Sequence, residues 1–387
     1  MSGGAVVIAG GGPAAHSAAR SYREAGGTGP VRILAAELEL PYERPPLTKE
    51  YLRGCSSRGD LALEPAAWYR ELAIEVELGA TVTALDLEAG EARTADGRRW
   101  PFERCLLATG ARPLVPDLPG ADGPDVRQIR TVADSEQLAA LAGNWVLLIG
   151  SGFIGCEAAV SMALRGAEVA LATLEAGPQF ERLGEPVAER LAAWLEESGV
   201  TLLPEAKLTE IAAERGGAVA HFEGGRERAA DAVVLALGIV RNDALAAAAG
   251  IEVDDGVPVD AAMVSADPRL LAAGDVACAH NPTAGRRLRI EHWGEALSQG
   301  EVAGRTLAGA EASWDGVPGF WSTLGERTLK YAGWGDGWDE IEFEPGAGES
   351  FVARYGRAGE LVGVLAHDDD GAYEEGTRAI RERARWR

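Results

Sequence analysis

Two glycine clusters have the residue types and spacing that can hold a phosphate. Gly150-Ser151-Gly152-Phe153-Ile154-Gly155 follows the apolar run Val146–Ile149 and opens the helical run Ile154–Leu164, with Glu175 twenty residues past Gly155. Gly10-Gly11-Gly12-Pro13-Ala14-Ala15 repeats the pattern after Ala5–Ala9, with Ala15 at the third glycine position and Glu37 twenty-two residues beyond it. Such glycines allow a tight turn and close approach of backbone to a pyrophosphate, which then sits on the helix N–H groups; the acid downstream accepts from ribose hydroxyls. With 50 glycines in the chain, the bare pattern arises about once by chance, so the strand before and the helix after carry the inference. Two further residues have types suited to chemistry. Lys49 ends the proline-stiffened segment Arg44-Pro45-Pro46-Leu47-Thr48-Lys49, where a fixed cation can steady negative charge as it develops. Asp275 follows Gly274 at the end of the apolar run Leu271–Ala273, placed to accept from the hydroxyls of a bound cofactor.

These residues need strands and helices to position them, and the chain supplies the same set twice. Each copy opens with a buried-type strand, turns on glycine, runs an Ala-rich helix (Ala14–Ala25; Ile154–Leu164) and returns to a strand (Val31–Ala35; Val169–Thr173). That is a βαβ unit. Alternating segments follow, read as a meander: Val76–Leu87, Glu91–Thr94 and Arg99–Phe102 first, then Leu208–Ala212, Val219–Phe222 and Arg226–Ala229. Each copy closes with an apolar strand running into glycine, Cys105–Gly110 and Val233–Gly238. A repeat on this scale predicts two related nucleotide-binding domains. A helical run, Ala296–Leu307, comes next; from about Ser313 short aromatic strands and a closing helix, Ala372–Arg385, read as a small α+β domain.

Composition removes several alternatives. At 387 residues, 47% apolar and 25% charged, the chain is an ordinary globular protein with two or three modest cores. The net charge of −23 argues against broad nucleic-acid binding, which needs a basic footprint. Apolar stretches stop far short of the roughly 18 residues a membrane helix requires, and no export signal is read at the N-terminus. Cys55, Cys105, Cys156 and Cys278 are far apart, with no zinc spacing, which excludes a metal site of that kind and fits a reducing cytoplasm.

Further segments carry a resemblance over nearly the whole chain: Pro41-Tyr42-Glu43-Arg44-Pro45-Pro46-Leu47-Thr48-Lys49, Ala108-Thr109-Gly110-Ala111-Arg112-Pro113, Ile129-Arg130-Thr131, Ala272-Ala273-Gly274-Asp275, Arg289-Ile290-Glu291-His292-Trp293 with Gln299-Gly300, and Phe320-Trp321-Ser322. In this order they resemble the flavoprotein reductases that pass electrons from NAD(P)H to ferredoxins, of the rubredoxin, putidaredoxin and biphenyl-dioxygenase types. The resemblance implies FAD contacts at Gly10, Gly12, Pro13, Ala14, Ala15, Glu37, Arg44, Pro45, Lys49, Val82, Ala108, Thr109, Gly110, Arg130, Gly274 and Asp275. It implies flavin-facing positions at Glu291, His292, Trp293 and Trp321. It implies NADH contacts at Gly150, Gly152, Phe153, Ile154, Gly155, Glu175 and Gly238. Lys49 and Glu157 are implied as a catalytic pair beside the flavin's hydride-accepting atom. Two departures stand out: Thr323-Leu324 follows Trp321-Ser322 where the family has Asp-Gln, and Thr173 stands at the strand end normally held by an acid. The absence of Arg between Arg165 and Arg182 favours NADH over NADPH.

The expected fold class is therefore α/β, with two Rossmann-like dinucleotide-binding domains in a glutathione-reductase-like architecture and a small α+β interface domain. The expected boundaries are 1–113 with 242–312 for FAD, 114–241 for NAD(P)H and 313–387 for the interface domain. The expected activity is transfer from NADH through FAD to a [2Fe-2S] ferredoxin serving an oxygenase or cytochrome P450, by a cytoplasmic monomer or homodimer that binds neither nucleic acid nor membrane. Two alternatives stay open: an NADH oxidase or quinone reductase with no protein partner, and a redox-responsive interaction protein resembling apoptosis-inducing factor. Electron exit is expected near Arg286, Arg287 and Arg289, with the Arg378–Arg387 tail as a second basic cluster.

Overall fold

Short apolar runs with no polar alternation fit strands covered on both faces, and the computed structural model places two sets of them in parallel sheets. It describes residues 4–335 and 337–386. The chain divides into two units, one of Met1–Glu43, Leu61–Arg112 and Arg241–Phe320, the other of Arg44–Asp60, Pro113–Val240 and Trp321–Arg387.

The first unit is built on a parallel sheet in the order Leu270–Ala272, Arg104–Leu107, Val6–Ala9, Val31–Leu34, Ile74–Glu77. Val7, Ile8 and Ala9 in its centre are wholly buried. The helix Pro13–Glu24 makes the first crossover, with Pro13 at its first position, where the missing N–H costs nothing. Against it lies the helix Trp293–Leu307. A Cβ on Gly300 would stand 2.5 Å from Ala14 O, and one on Gly304 would stand 2.3 Å from Ala18 O. Only glycine lets the two helices approach so closely, and Ser17 Oγ bridges them by donating to Leu297 O at 2.7 Å. The segment Val76–Leu87, expected as part of the meander, is divided. Ile74–Glu77 becomes the edge of the parallel sheet, and only Val82–Asp86 joins Glu91–Thr94 and Arg99–Pro101 in an antiparallel ribbon. Gly79, at φ +67°, makes the break.

The second unit repeats the plan, with parallel strands in the order Val200–Leu203, Glu168–Ala172, Trp145–Ile149, Ala232–Leu235, Val126–Arg127. Its ribbon is Leu208–Glu214, Gly217–Phe222 and Arg226–Ala230. A five-stranded sheet, Gly319–Leu324, Arg327–Gly333, Glu360–His367, Phe351–Arg357 and Glu340–Pro345, follows in that spatial order, backed by the helix Asp370–Arg381. The grouping cuts across the boundaries expected from sequence, with residues 313–320 in the first unit. Residues 44–60 fall in the second unit, and residues 321–387 share its core. Leu324, Leu329, Phe351 and Leu365 pack in one apolar cluster with Leu52, Val160, Leu183 and Leu191. Tyr355 Oη donates to Leu183 O at 3.1 Å across the same contact. No helix among the described residues is long and apolar enough to cross a membrane.

Candidate functional site

The two glycine turns are built alike, each in its own unit. Gly10 has φ +125° and Gly150 φ +106°, a region L-residues avoid. A Cβ would strike Ala108 O at 2.1 Å in the first turn and Ala236 O at 2.3 Å in the second. The strand closing each repeat thus presses on the first glycine and fixes the turn. At Gly12 and Gly152 the reverse holds: nothing lies within 4 Å of the missing Cβ. These open positions sit at the N-caps of the helices Pro13–Glu24 and Phe153–Leu164, and neither helix has a side-chain cap. Uncapped N–H groups beside open space suit a pyrophosphate. Gly155 is held by packing, since its Cβ would meet Gly150 O at 2.0 Å.

The remaining residues of the first unit gather around its turn. Tyr42 Oη donates to Glu37 Oε2 at 2.6 Å, which orients the acid beyond the second strand. Thr109 and Asn242 exchange hydrogen bonds, Oγ1 to Asn242 O and Nδ2 to Thr109 O, both 2.9 Å, and so lock Ala108-Thr109-Gly110. Gly274 N donates to Gln299 Oε1 at 2.9 Å, and its Cβ would stand 3.2 Å from Ala14 Cβ. That contact brings half-buried Asp275 to the glycine turn. Glu291 Oε1 accepts from Arg241 at 2.7 Å, and the His292 ring packs on Phe320 at 4.5 Å between centroids. Trp293 opens its helix half-buried, and Val82 lies half-exposed on the ribbon.

The second unit holds a buried charged cluster. Pro45–Thr48 forms a 3-10 turn whose carbonyls are pinned by two serines, Ser135 Oγ on Leu47 O at 2.8 Å and Ser161 Oγ on Thr48 O at 2.7 Å. Lys49 Nζ donates to Glu157 Oε2 at 2.6 Å, with side-chain exposures of 8% and 3%. Thr48 Oγ1 donates to the same oxygen at 2.5 Å, and Ser322 Oγ donates to Oε1 at 2.7 Å. Arg44 Nη1 donates to Arg130 O at 2.7 Å, so these two expected contacts share one place. Trp321 is 43% exposed on its strand.

At the second turn, Ser151 Oγ donates to Thr173 Oγ1 at 2.7 Å. Glu175 Oε2 accepts from Glu181 N at 2.8 Å, within the first turn of the short helix Phe180–Leu183. Arg182 lies over the Phe153 ring, 5.8 Å from its centroid, so an arginine that is distant in sequence returns to this turn. Thr48, Ser151, Ser322, Asn242 and Gln299 were not among the expected site residues. Thr48, beside Lys49, Ser151, between Gly150 and Gly152, and Ser322, beside Trp321, lay next to one in sequence; Asn242 and Gln299 did not.

Charge elsewhere is arranged differently from the sequence expectation. Arg289 donates to Asp254 Oδ2 at 2.6 Å and to the Asp254 carbonyl, so an acid 35 positions away answers its charge. Arg286 Nη1 donates to Arg287 O at 3.1 Å. In the C-terminal cluster Arg378, Arg381, Arg383 and Arg385 are exposed, and Arg387 lies outside the described residues. The four cysteines are free. Burial pushes the Cys105 thiol up to about 12 and raises that of Cys156, so neither offers thiolate near neutrality. Among the described residues no cluster of three or more His, Cys, Asp or Glu side chains could hold a metal.

Two dinucleotide turns on two parallel sheets define a two-nucleotide oxidoreductase fold. The family described as pyridine nucleotide-disulphide oxidoreductase matches residues 4–300. The chain is 35% identical, over 95% of its length and 91% of the relative's, to the anthranilate 1,2-dioxygenase system ferredoxin–NAD(+) reductase component of Burkholderia cepacia. It is 33% identical to rhodocoxin reductase of Rhodococcus erythropolis, over 85% of this chain and 78% of the relative. The solved covalent complex of putidaredoxin reductase with putidaredoxin superposes with a TM-score of 0.92 at 28% identity, covering 99% of this chain and 94% of that one. The chain belongs to the pyridine nucleotide-disulphide oxidoreductase family. It is an NAD(P)H-dependent flavoprotein with FAD and NADH as cofactors.

Proposed function

We propose that the protein is a ferredoxin reductase that passes electrons from NADH through FAD to a [2Fe-2S] ferredoxin supplying an oxygenase or cytochrome P450. The observation that carries this reading is the buried Lys49–Glu157 pair beside a proline-stiffened turn that has no cysteine pair. Electrons then leave from the cofactor itself and not through a dithiol. Residues 1–113 with 242–312 form the FAD-binding part in this reading, 114–241 the NADH-binding part and 313–387 the partner-facing part. The Gly10–Ala15 turn takes the FAD pyrophosphate, Glu37 the ribose and Asp275 the ribityl chain, with Arg44 and Arg130 as further contacts. The Gly150–Gly155 turn takes the NADH pyrophosphate, with Glu175 and Gly238 nearby. When bound, FAD supplies two-electron acceptance from the nicotinamide and one-electron release to the acceptor. Lys49 holds positive charge where negative charge develops on reduction, and Glu157 keeps that ammonium in place. The protein acts in the cytoplasm, as a monomer or homodimer.

Anaerobic stopped-flow reduction by NADH, followed by mixing with ferredoxin, air or quinone, tests the reading. Fast reduction with re-oxidation that is slow in air and fast with ferredoxin is expected. Rapid re-oxidation by oxygen or by quinone would replace it with an NADH oxidase or a quinone reductase. Slow reduction with a long-lived charge-transfer band would favour the redox-responsive interaction protein.

A further inference from the structure

Both oxygens of the Glu157 carboxylate accept hydrogen bonds. It lies on the helix Phe153–Leu164 at 3% exposure and receives three donors from two segments, Thr48-Lys49 and the strand carrying Ser322. Two of them, Lys49 Nζ and Thr48 Oγ1, converge on Oε2. Among the described residues Oε1 receives Ser322 Oγ alone, and Ser322 is wholly buried. The ammonium is held on its other sides by Pro45 O at 3.2 Å and Thr48 Oγ1 at 3.3 Å. With Oε1 undonated, a carboxylate bound only through Oε2 is free to turn about its last torsion, and the ammonium follows it. The Ser322 hydroxyl removes that freedom.

Its placement follows from strand register. Along Gly319–Leu324, Trp321 points outward at 43% exposure, whereas Ser322 and Leu324 share the inward face. Leu324 anchors that face in the cluster containing Leu52 and Val160, both fully buried. A slip of one residue would present Trp321 or Thr323 to Glu157 instead. The hydroxyl thus reaches the acid because the C-terminal sheet packs on the core of the second unit.

We propose that Ser322 is a positioning residue of the reductive site: its hydroxyl fixes the Glu157 carboxylate, and through it the Lys49 ammonium, so the C-terminal sheet is a working part of the hydride-accepting centre. This rests on the reading that the Lys49–Glu157 pair governs flavin reduction. Removing a hydrogen bond to a buried charged group lowers the rate by roughly ten-fold or more if the group acts in the transition state.

The test compares purified flavin-loaded Ser322→Ala, Ser322→Thr and Lys49→Met with the parent protein. Three quantities are read: the limiting rate of flavin reduction, the NADH dissociation constant and the flavin midpoint potential by spectroelectrochemistry. Ser322→Ala is expected to slow reduction about ten-fold, to leave NADH affinity nearly unchanged, and to move the potential in the same direction as Lys49→Met. Ser322→Thr, which keeps the hydroxyl, restores rate and potential. A parental rate and potential in Ser322→Ala beside a slow, shifted Lys49→Met overturns the inference. A parental rate and potential in Lys49→Met overturns the reading of the pair, and the inference with it. If Ser322→Ala does not retain flavin, Ser322→Cys, of similar volume and weaker donor strength, is judged by the same readouts.

Discussion

Ser151 Oγ donates to Thr173 Oγ1 at 2.7 Å, tying the second glycine turn to the end of the strand Glu168–Ala172. Both side chains are buried, at 6% and 2% exposure. Hydroxyl pairing thus occupies the strand end where an acid was expected, and the nearby acid, Glu175, accepts instead from the helix Phe180–Leu183. Thr173→Val leaves the Ser151 hydroxyl without its partner at the centre of the turn. The expected result is a loss of about 1–2 kcal/mol of stability, weaker NADH binding and unchanged flavin content, measured by denaturant unfolding, NADH titration and absorbance.

Asp275 is expected to govern flavin retention. It follows Gly274, whose N–H is held by Gln299 and where an added Cβ would stand 3.2 Å from Ala14 Cβ. Asp275→Ala removes charge-assisted hydrogen bonds of roughly 1.5–3 kcal/mol each. The purified variant should lose flavin on dilution and gel filtration; a full complement after both steps would show that Asp275 does not hold it.

Acid stability is expected to depend on His16. Burial, then the Arg20 charge, lowers its pKa from 6.5 to about 4, and its Nδ1 lies 2.9 Å from Tyr69 Oη. Because the folded value is depressed, the unfolded chain binds the extra proton between pH 6.5 and 4. The contribution is therefore complete above pH 6.5 and is lost as pH falls through that window, by about 3 kcal/mol at its foot. His16→Asn, which keeps an acceptor for Tyr69, should flatten the slope of unfolding free energy against pH there. An unchanged slope would assign the acid limb to other groups.

Partner binding is expected to depend on the basic cluster of Arg286, Arg287 and Arg289. Ferredoxins are generally acidic, and the chain itself carries a net charge of −23; a local positive face must then steer the encounter. Charge reversal at Arg286 and Arg287 should raise the apparent KM for ferredoxin and flatten its salt dependence, since screening acts over about 10 Å at 0.1 M salt. Reduction of a small artificial acceptor by NADH should stay unchanged. A parental salt slope in the double variant would move the exit face elsewhere.

What could be read from the sequence alone was what a short stretch of chain imposes on itself. Gly10 and Gly150 are needed for a positive φ and for contact with a neighbouring carbonyl, and the strand before and helix after are written in the adjacent residues. The doubled βαβ plan follows from the same local signals. The tertiary structure decided which distant side chains meet. Ser322 reaches Glu157 across 165 positions because Leu324 anchors a strand register. Arg289 meets Asp254 across 35, and residues 321–387 share a core with the second repeat. A turn is set by the backbone preferences of its own residues. A side-chain pair is set by which faces pack, and that depends on the apolar burial of the whole unit.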